Sequence, residues 1–294
     1  MSAVGGRLAV PGGTVWYRVV GSGSRPPLLV VHGGLGSVSH DYLDPLGALA
    51  SDGRQVVFWD QLGCGRSDAP DDPGVYRIER YVEEVAAVRR ALGLDEVHLL
   101  GQSYGGWLAI EYLVGHPAGV LSAHLASTSA SAQSLLAAMA RLRAELPPDV
   151  SATLDRCEAR GDLDDPAYAE AAACFDRRHA CRIDPPPEPL RRGLALAGHS
   201  PQYRLMNGPN EFVLTGNLGT WDRRDRLPEL DLPALVSCGR FDKFAVECAE
   251  ELQQGLPRAT LHVFEHSSHM SHLEEPQRFL AVTATFLDAV DGVA

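Results

Sequence analysis

The chain has 294 residues, 45% of them hydrophobic and 22% charged, and a chain this long can bury roughly three quarters of the surface its unfolded form exposes. Lys and Arg number 26 against 38 Asp and Glu, a net charge of -12, which excludes a surface built for nucleic acid or an anionic membrane, because both reward clustered positive charge. That balance leans mildly toward a cationic substrate.

Residues 1–11 hold no basic run followed by an apolar stretch, so no secretory signal is expected. No apolar window approaches the roughly 20 residues that span a bilayer. Short apolar runs at 14–20, 28–31 and 55–59 read as strands, 80–92 as a helix and 97–100 as a further strand. Runs of four to six apolar residues separated by helices are the signature of parallel strands covered on both faces. A helix over 107–114 follows. From 132 to about 203 the chain turns Ala-, Arg- and Leu-rich with no strand-like run, and helices are expected at 132–146, 150–160 and 166–180. The proline cluster at 185–189 reads as a stiff turn between helices. Alternation then resumes, with strands at 234–238 and 260–264 and helices at 245–256 and 275–289. The expected architecture is therefore an α/β fold with a mostly parallel sheet flanked by helices, carrying an inserted all-helical domain: core at 1–130, helical insertion at 131–225, core again at 226–294.

The chemistry concentrates at strand ends. Gly101-Gln102-Ser103-Tyr104-Gly105 follows one strand and opens a helix, the setting of a G-x-S-x-G nucleophile elbow, in which a strained turn lifts the serine hydroxyl above the sheet. His32-Gly33-Gly34-Leu35-Gly36 follows the strand at 28–31 and lies where an oxyanion donor belongs. The N–H groups of Gly34 and Tyr104 are the expected donors. Neither a Walker lysine nor a dinucleotide glycine pattern accompanies it. Asp242 ends the strand at 234–238 and His269 follows that at 260–264, in the chain order Ser, Asp, His. His266 and His272 compete with His269, which fits best because it sits a few residues beyond its strand and begins His-x4-Glu-x-Pro. A buried aspartate makes the imidazole basic and fixes its tautomer, so that it can take the Ser103 proton. An aspartate at 103 would have meant a dehalogenase or epoxide hydrolase; serine excludes both. The segment 60–67 reads as a structural loop, with Gly63 and Gly65 for a tight turn, Asp60 and Arg66 for loop hydrogen bonds, and Cys64 lacking a matched base. Six scattered cysteines, without CxxC pairs or histidines at zinc spacing, point to free thiols in a reducing cytoplasm and to no metal. No organic cofactor is expected either.

These blocks together resemble the proline iminopeptidases and the tricorn-interacting aminopeptidase. The most specific is Tyr203-Arg204-Leu205-Met206-Asn207-Gly208-Pro209-Asn210-Glu211-Phe212, with Thr215-Gly216 and Trp221-Asp222 beyond it; His40-Asp41-Tyr42-Leu43 and Asp60–Ser67 also match. The likeness spans nearly the whole chain, and its weakest part is the helices at 132–192. It implies removal of an N-terminal residue from a peptide or amide that presents a free amino terminus. Glu211 matches an acid that holds the substrate ammonium, and Tyr203 an aromatic lining position. Two departures stand out. Leu35 replaces a common proline, and Lys243 stands where close relatives place a second ammonium-binding glutamate. Either Lys243 points away, or another acid such as Glu274 compensates, or the leaving group is unusual. A variant within the family removes a protecting aminoacyl group from a β-amino-acid polyketide intermediate on the way to a macrolactam. An esterase or C–C hydrolase with the same triad, and a non-catalytic receptor of the same fold, are the further alternatives.

Overall fold

A computed structural model describes residues 3–196 and 201–293; residues 197–200, inside the expected helical insertion, lie outside it, as do both extreme termini. The chain begins with an antiparallel hairpin, β1 (Ala3–Val10) and β2 (Gly13–Val20), followed by β3 (Arg25–Val31) and, after a 3-10 stretch over His40–Asp52, by β4 (Arg54–Trp59). Helix α1 (Ile78–Ala91), β5 (Val97–Gln102), α2 (Tyr104–Val114) and β6 (Val120–Ala126) come next. Among the described residues five helices then run without a strand: α3 (Ala132–Ala144), α4 (Pro148–Arg160), α5 (Pro166–His179), α6 (Glu188–Ala195) and α7 (Gln202–Met206). The chain closes with β7 (Ala234–Gly239), α8 (Ala245–Gly255), β8 (Ala259–Phe264), α9 (Ser271–Glu274) and α10 (Pro276–Asp291).

Among the described residues eight strands form one sheet in the order β1-β2-β4-β3-β5-β6-β7-β8, parallel from β4 onward. Antiparallel pairing is confined to β1/β2 and β2/β4. This is the expected mostly parallel α/β sheet. Leu28, Val30, Val56, Phe58 and Leu100 point into one hydrophobic cluster, and Leu29, Val31, Val57, Leu99 and Val97 into the other, so both faces are covered and each strand reads as a continuous apolar run. Helix α1 buries Ile78, Tyr81, Val85 and Val88, spaced three and four apart on one face. From β3 the chain steps to β4 on one side, and from β5 to β6 on the other. Loops leaving the C-terminal ends of β3 and β5 therefore diverge and leave a crevice at the point where ligands settle in open α/β sheets. Among the described residues no helix is long and apolar enough to cross a membrane.

Three elements escape the apolar pattern. Strand β6 is interrupted by Ser122 and His124, both fully buried, which would break a hydrophobic run. Each is satisfied by a neighbouring strand: the His98 ring meets Ser122 Oγ at 2.8 Å and the His124 ring meets Ser237 Oγ at 2.8 Å. Strand β1 is an exposed edge with Gly5-Gly6 and little to bury. The 185–189 cluster is a turn only in its first part, because Pro187 caps α6 and Pro189 sits in its first turn, where a missing N–H is harmless.

Candidate active site

Ser103 sits between β5 and α2 with φ 59° and ψ -127°, a backbone conformation that costs a non-glycine residue of order 1–3 kcal/mol. Its surroundings hold it there. Its N–H donates to Ala126 O at 3.0 Å, and its carbonyl accepts from Thr128 Oγ1 and from Gly106 N, both at 2.8 Å. The flanking glycines are demanded by contact: a Cβ on Gly105 would lie 2.0 Å from Val31 O, and one on Gly101 2.5 Å from Gly105 O. Those approaches press α2 onto β3 and β5, which explains why the helix starts at Tyr104 despite two glycines in its first turn.

The loop after β3 is tied to the same turn. Gly33 N donates to Tyr42 Oη at 2.8 Å, Tyr42 Oη donates to Gln102 Oε1 at 2.7 Å, and Gln102 Nε2 donates to the His269 carbonyl at 3.2 Å. One buried chain of hydrogen bonds thus joins the Gly33–Gly34 loop, the serine turn and the His269 loop. Gly34 and Leu35 both take positive φ, 84° and 46°. His32 lies beneath them, its ring accepting from Gln61 N at 3.0 Å; burial lowers it to about 4, so it stays neutral. It is a strut under the loop.

Asp242 is fully buried and His269 nearly so, and Nδ1–H of His269 donates to Asp242 Oδ1 at 2.8 Å. The same oxygen accepts from Phe244 N at 2.9 Å. Burial would raise this carboxyl, but His269 and the Phe244 N–H outweigh it and hold it below the usual carboxylate range. The Phe244 ring stacks on the imidazole, centroids 5.2 Å apart and 8° from parallel. The competing histidines are elsewhere: His266 is exposed, and His272 is buried with its ring against Tyr42 O, lowered to about 3 by burial.

A pocket enclosing about 490 Å³, its open mouth included, collects Gly34, Ser103, Tyr104 and Lys243 from the sheet side and Tyr203 and Glu211 from the other. Phe244 lines it too, and so bridges to the Asp242–His269 pair behind. The block at 207–212 is built around Asn210, whose side-chain oxygen accepts from Phe212 N at 2.9 Å and Val213 N at 3.0 Å, a local turn that presents Glu211. Lys243 does not point away: its Nζ donates to Glu211 Oε1 and Oε2 at 2.5 and 2.6 Å. Glu274 does not compensate, because it accepts from Ser268 N at 2.6 Å and Arg182 N at 2.7 Å outside the pocket. Helix α5 closes this corner. The His179 carbonyl accepts from Lys243 N at 3.1 Å and from His269 N at 3.2 Å, pinning both loops to the helical segment. Nearby Asp176, on the same helix, is raised to about 6 by its crowded surroundings and by Glu211, against the pull of Lys243. Tyr42, Gln102, His179, Asp176 and Phe244 carry no local signal of these roles; their partners lie far along the chain or on another element.

His40, Asp41 and Asp60 come within reach of a common ion, but guanidinium groups fill that position: Arg66 pairs with Asp41 at 2.7 Å and with Asp60 at 3.3 Å, and Arg192 with Asp41 at 2.8 Å. Cys64 is buried against Gln202, its thiol pushed well above the ordinary range by desolvation and by Asp60 and Glu84, so it has no nucleophilic thiolate. The 60–67 loop is structural, as its composition suggests.

A hydroxyl on a strained turn and the tight loop after β3 thus line one pocket, and an imidazole backed by a buried carboxylate stacks on Phe244 of the same pocket, groups of the kind acyl transfer uses. Residues 26–276 match the family model of the alpha/beta hydrolase fold. The proline iminopeptidase of Heyndrickxia coagulans is 40% identical over 286 residues, covering 97% of this chain and 99% of that one. Among solved structures, the proline iminopeptidase of Mycobacterium smegmatis superimposes with a TM-score of 0.91 at 38% identity, covering 98% of this chain and 99% of its own. VinJ superimposes with a TM-score of 0.93 at 35% identity over the same shares of the two chains. The chain belongs to the α/β-hydrolase family, in its proline iminopeptidase branch.

Proposed function

We propose that this hydrolase removes an N-terminal aminoacyl residue from a peptide or amide through an acyl-enzyme on Ser103. The observation that carries the reading is Glu211, a carboxylate in the wall of the pocket that Ser103 also lines. A carboxylate half-removed from water is a strong partner for an ammonium group. Ser103 Oγ attacks the scissile carbonyl while His269 Nε2 takes its proton; the bond to Asp242 leaves that nitrogen as the acceptor. The N–H groups of Gly34 and Tyr104 receive the oxyanion. His269 then protonates the leaving amine and activates the water that cleaves the ester. The helices between β6 and β7 act as a cap that limits the pocket to a chain end, with Tyr203 lining it. Mechanism and pocket call on no cofactor. Six unpaired cysteines support a reducing, cytoplasmic setting.

A second reading, removal of a protecting aminoacyl group from a β-amino-acid polyketide intermediate, is favoured by Lys243, which departs from a pocket with two acids. Both readings use the same acyl chemistry. Aminoacyl arylamides of Pro, Ala, Gly, Leu and Phe, each with free and with acetylated amine, test the ammonium requirement. Arylamine release from free-amine substrates alone is expected. Equal release from both series, or cleavage of simple esters only, overturns the aminopeptidase reading.

A further inference from the structure

The pocket that holds Ser103 also holds a cation. Lys243 bonds both oxygens of Glu211, and its side chain is 8% exposed against 42% for the glutamate, so the lysine lies beneath an acid that faces the open pocket. Its main chain cannot retreat. It stands between Asp242 and Phe244, and its N–H is bound to His179 O at 3.1 Å. Burial would lower the ammonium group, but Glu211 and Asp176 more than offset this, so Lys243 stays charged.

Charge counting then separates possible substrates. A free amino terminus with a neutral side chain adds a second cation to a place where Glu211 is already fully engaged. Two ammonium groups then draw on Glu211 in a partly dehydrated pocket, with Asp176 the second acid that acts on this corner. An aminoacyl group that brings its own carboxylate removes the conflict. Its ammonium pairs with Glu211 and its carboxylate with Lys243, so Lys243 keeps a full partner when Glu211 turns to the substrate amine.

We propose that Lys243 selects for acidic aminoacyl groups, so that the preferred substrates are peptides or amides with an N-terminal aspartyl or glutamyl residue. The inference rests on the reading of Glu211 as the partner of the substrate amine. A paired polar group of this kind discriminates against the analogue that lacks its partner, because the unmatched charge stays buried.

The test is the wild-type enzyme's kcat/KM for Asp and Glu arylamides against their neutral isosteres Asn and Gln, with Ala alongside. The acidic substrates are expected to exceed their amides by about tenfold or more, the scale of one charge-assisted hydrogen bond. Lys243→Met is expected to abolish that ratio and Lys243→Arg to retain it. Equal turnover of Ala, Asn and Asp arylamides overturns the selection by Lys243 and leaves the aminopeptidase reading standing. Failure of every free-amine substrate, with an acetylated ester still cleaved, overturns both. The wild-type ratio needs no variant to fold.

Discussion

The two walls of the pocket are held by different forces. On the sheet wall, positions are set by backbone: Ser103 by a turn wedged against Val31, Gly34 by a loop bound to Tyr42, Asp242 by the Phe244 N–H. On the helical wall, Glu211 is set by a side chain that reaches it from the sheet wall's strand-end loop. Glu211 is held by Lys243, and Lys243 through its main chain by the end of α5. Asp242 is fully buried, whereas the Glu211 side chain is 42% exposed. A wall fixed by main-chain contacts cannot change one residue at a time, because each glycine and each hydrogen bond constrains its neighbours. A side-chain pair that spans the two walls can change by single substitutions, as Lys243 and its bond to Glu211 illustrate. Under the proposed function, the reaction belongs to the rigid wall and the selectivity to the side-chain pair that spans the pocket.

The sharpest way to break this division is to remove chemistry without touching the scaffold. Ser103→Ala is expected to lower kcat on any aminoacyl substrate on the order of 10⁵-fold or more, while the melting temperature holds, since Ala meets the same backbone demand as Ser. Substantial residual hydrolysis means that another group is the nucleophile. Acidification attacks the scaffold itself. His32, His124 and His272 are fully or almost fully buried on the sheet wall and beneath it, lowered by burial to about 4, 3 and 3. Their folded values lie below the unfolded 6.5, so the unfolded chain binds more protons and stability falls as pH drops from about 6.5 toward 3. Each contributes a loss of about 2 kcal/mol between pH 7 and 5, together a large share of a typical domain's stability. Urea melts at pH 7 and 5 measure it. A midpoint that does not move between them means that these histidines titrate normally.

A smaller and more selective effect belongs to the helical wall. Glu211→Gln keeps the shape and a hydrogen bond to Lys243 but removes the charge. Free-amine amides are expected to lose about ten- to a hundredfold in kcat/KM, against little change for acetylated esters, which never used the carboxylate. Equal losses on the two classes indicate that Glu211 supports the fold of the site and does not bind the amine.

The same division explains what the sequence discloses. The strand-end positions of Ser103, Asp242 and His269 are readable because a strand end, a glycine turn and a chain order are local and directional. Strand β6 is not, because Ser122 and His124 interrupt its apolar run and their partners, His98 and Ser237, become visible only after folding. The Tyr42–Gln102–His269 relay joins residues 60 and 167 positions apart, a spacing that carries no pattern. Lys243 is recognisable as an anomaly from its neighbour Asp242, yet its direction depends on where α5 and the 207–212 turn come to rest. Backbone chemistry leaves a local imprint; side-chain pairing across elements does not.

The two walls should also answer pH with opposite signs, and Asp176 is the residue that isolates the weaker response. Its carboxyl is raised to about 6 by its crowded surroundings and by Glu211, with Lys243 and Arg177 opposing. For an acid whose folded value exceeds the unfolded 3.8, the folded chain binds more protons between the two, so stability declines as pH rises from about 4 to about 6 and remains lower above. Asp176→Asn removes the penalised charge. The side chain is open to water on one side, so the gain at pH 7.5 is expected to stay below about 1 kcal/mol. It should shrink toward zero at pH 4.5, where wild-type Asp176 is itself mostly protonated. Paired melting curves of the two proteins at both pH values read the difference directly, with the histidine contribution common to both. A variant less stable than wild type at pH 7.5 means that the Asp176 charge is anchored by Lys243 rather than opposed by Glu211, and the helical wall then gains an ion pair on which the amine pocket depends.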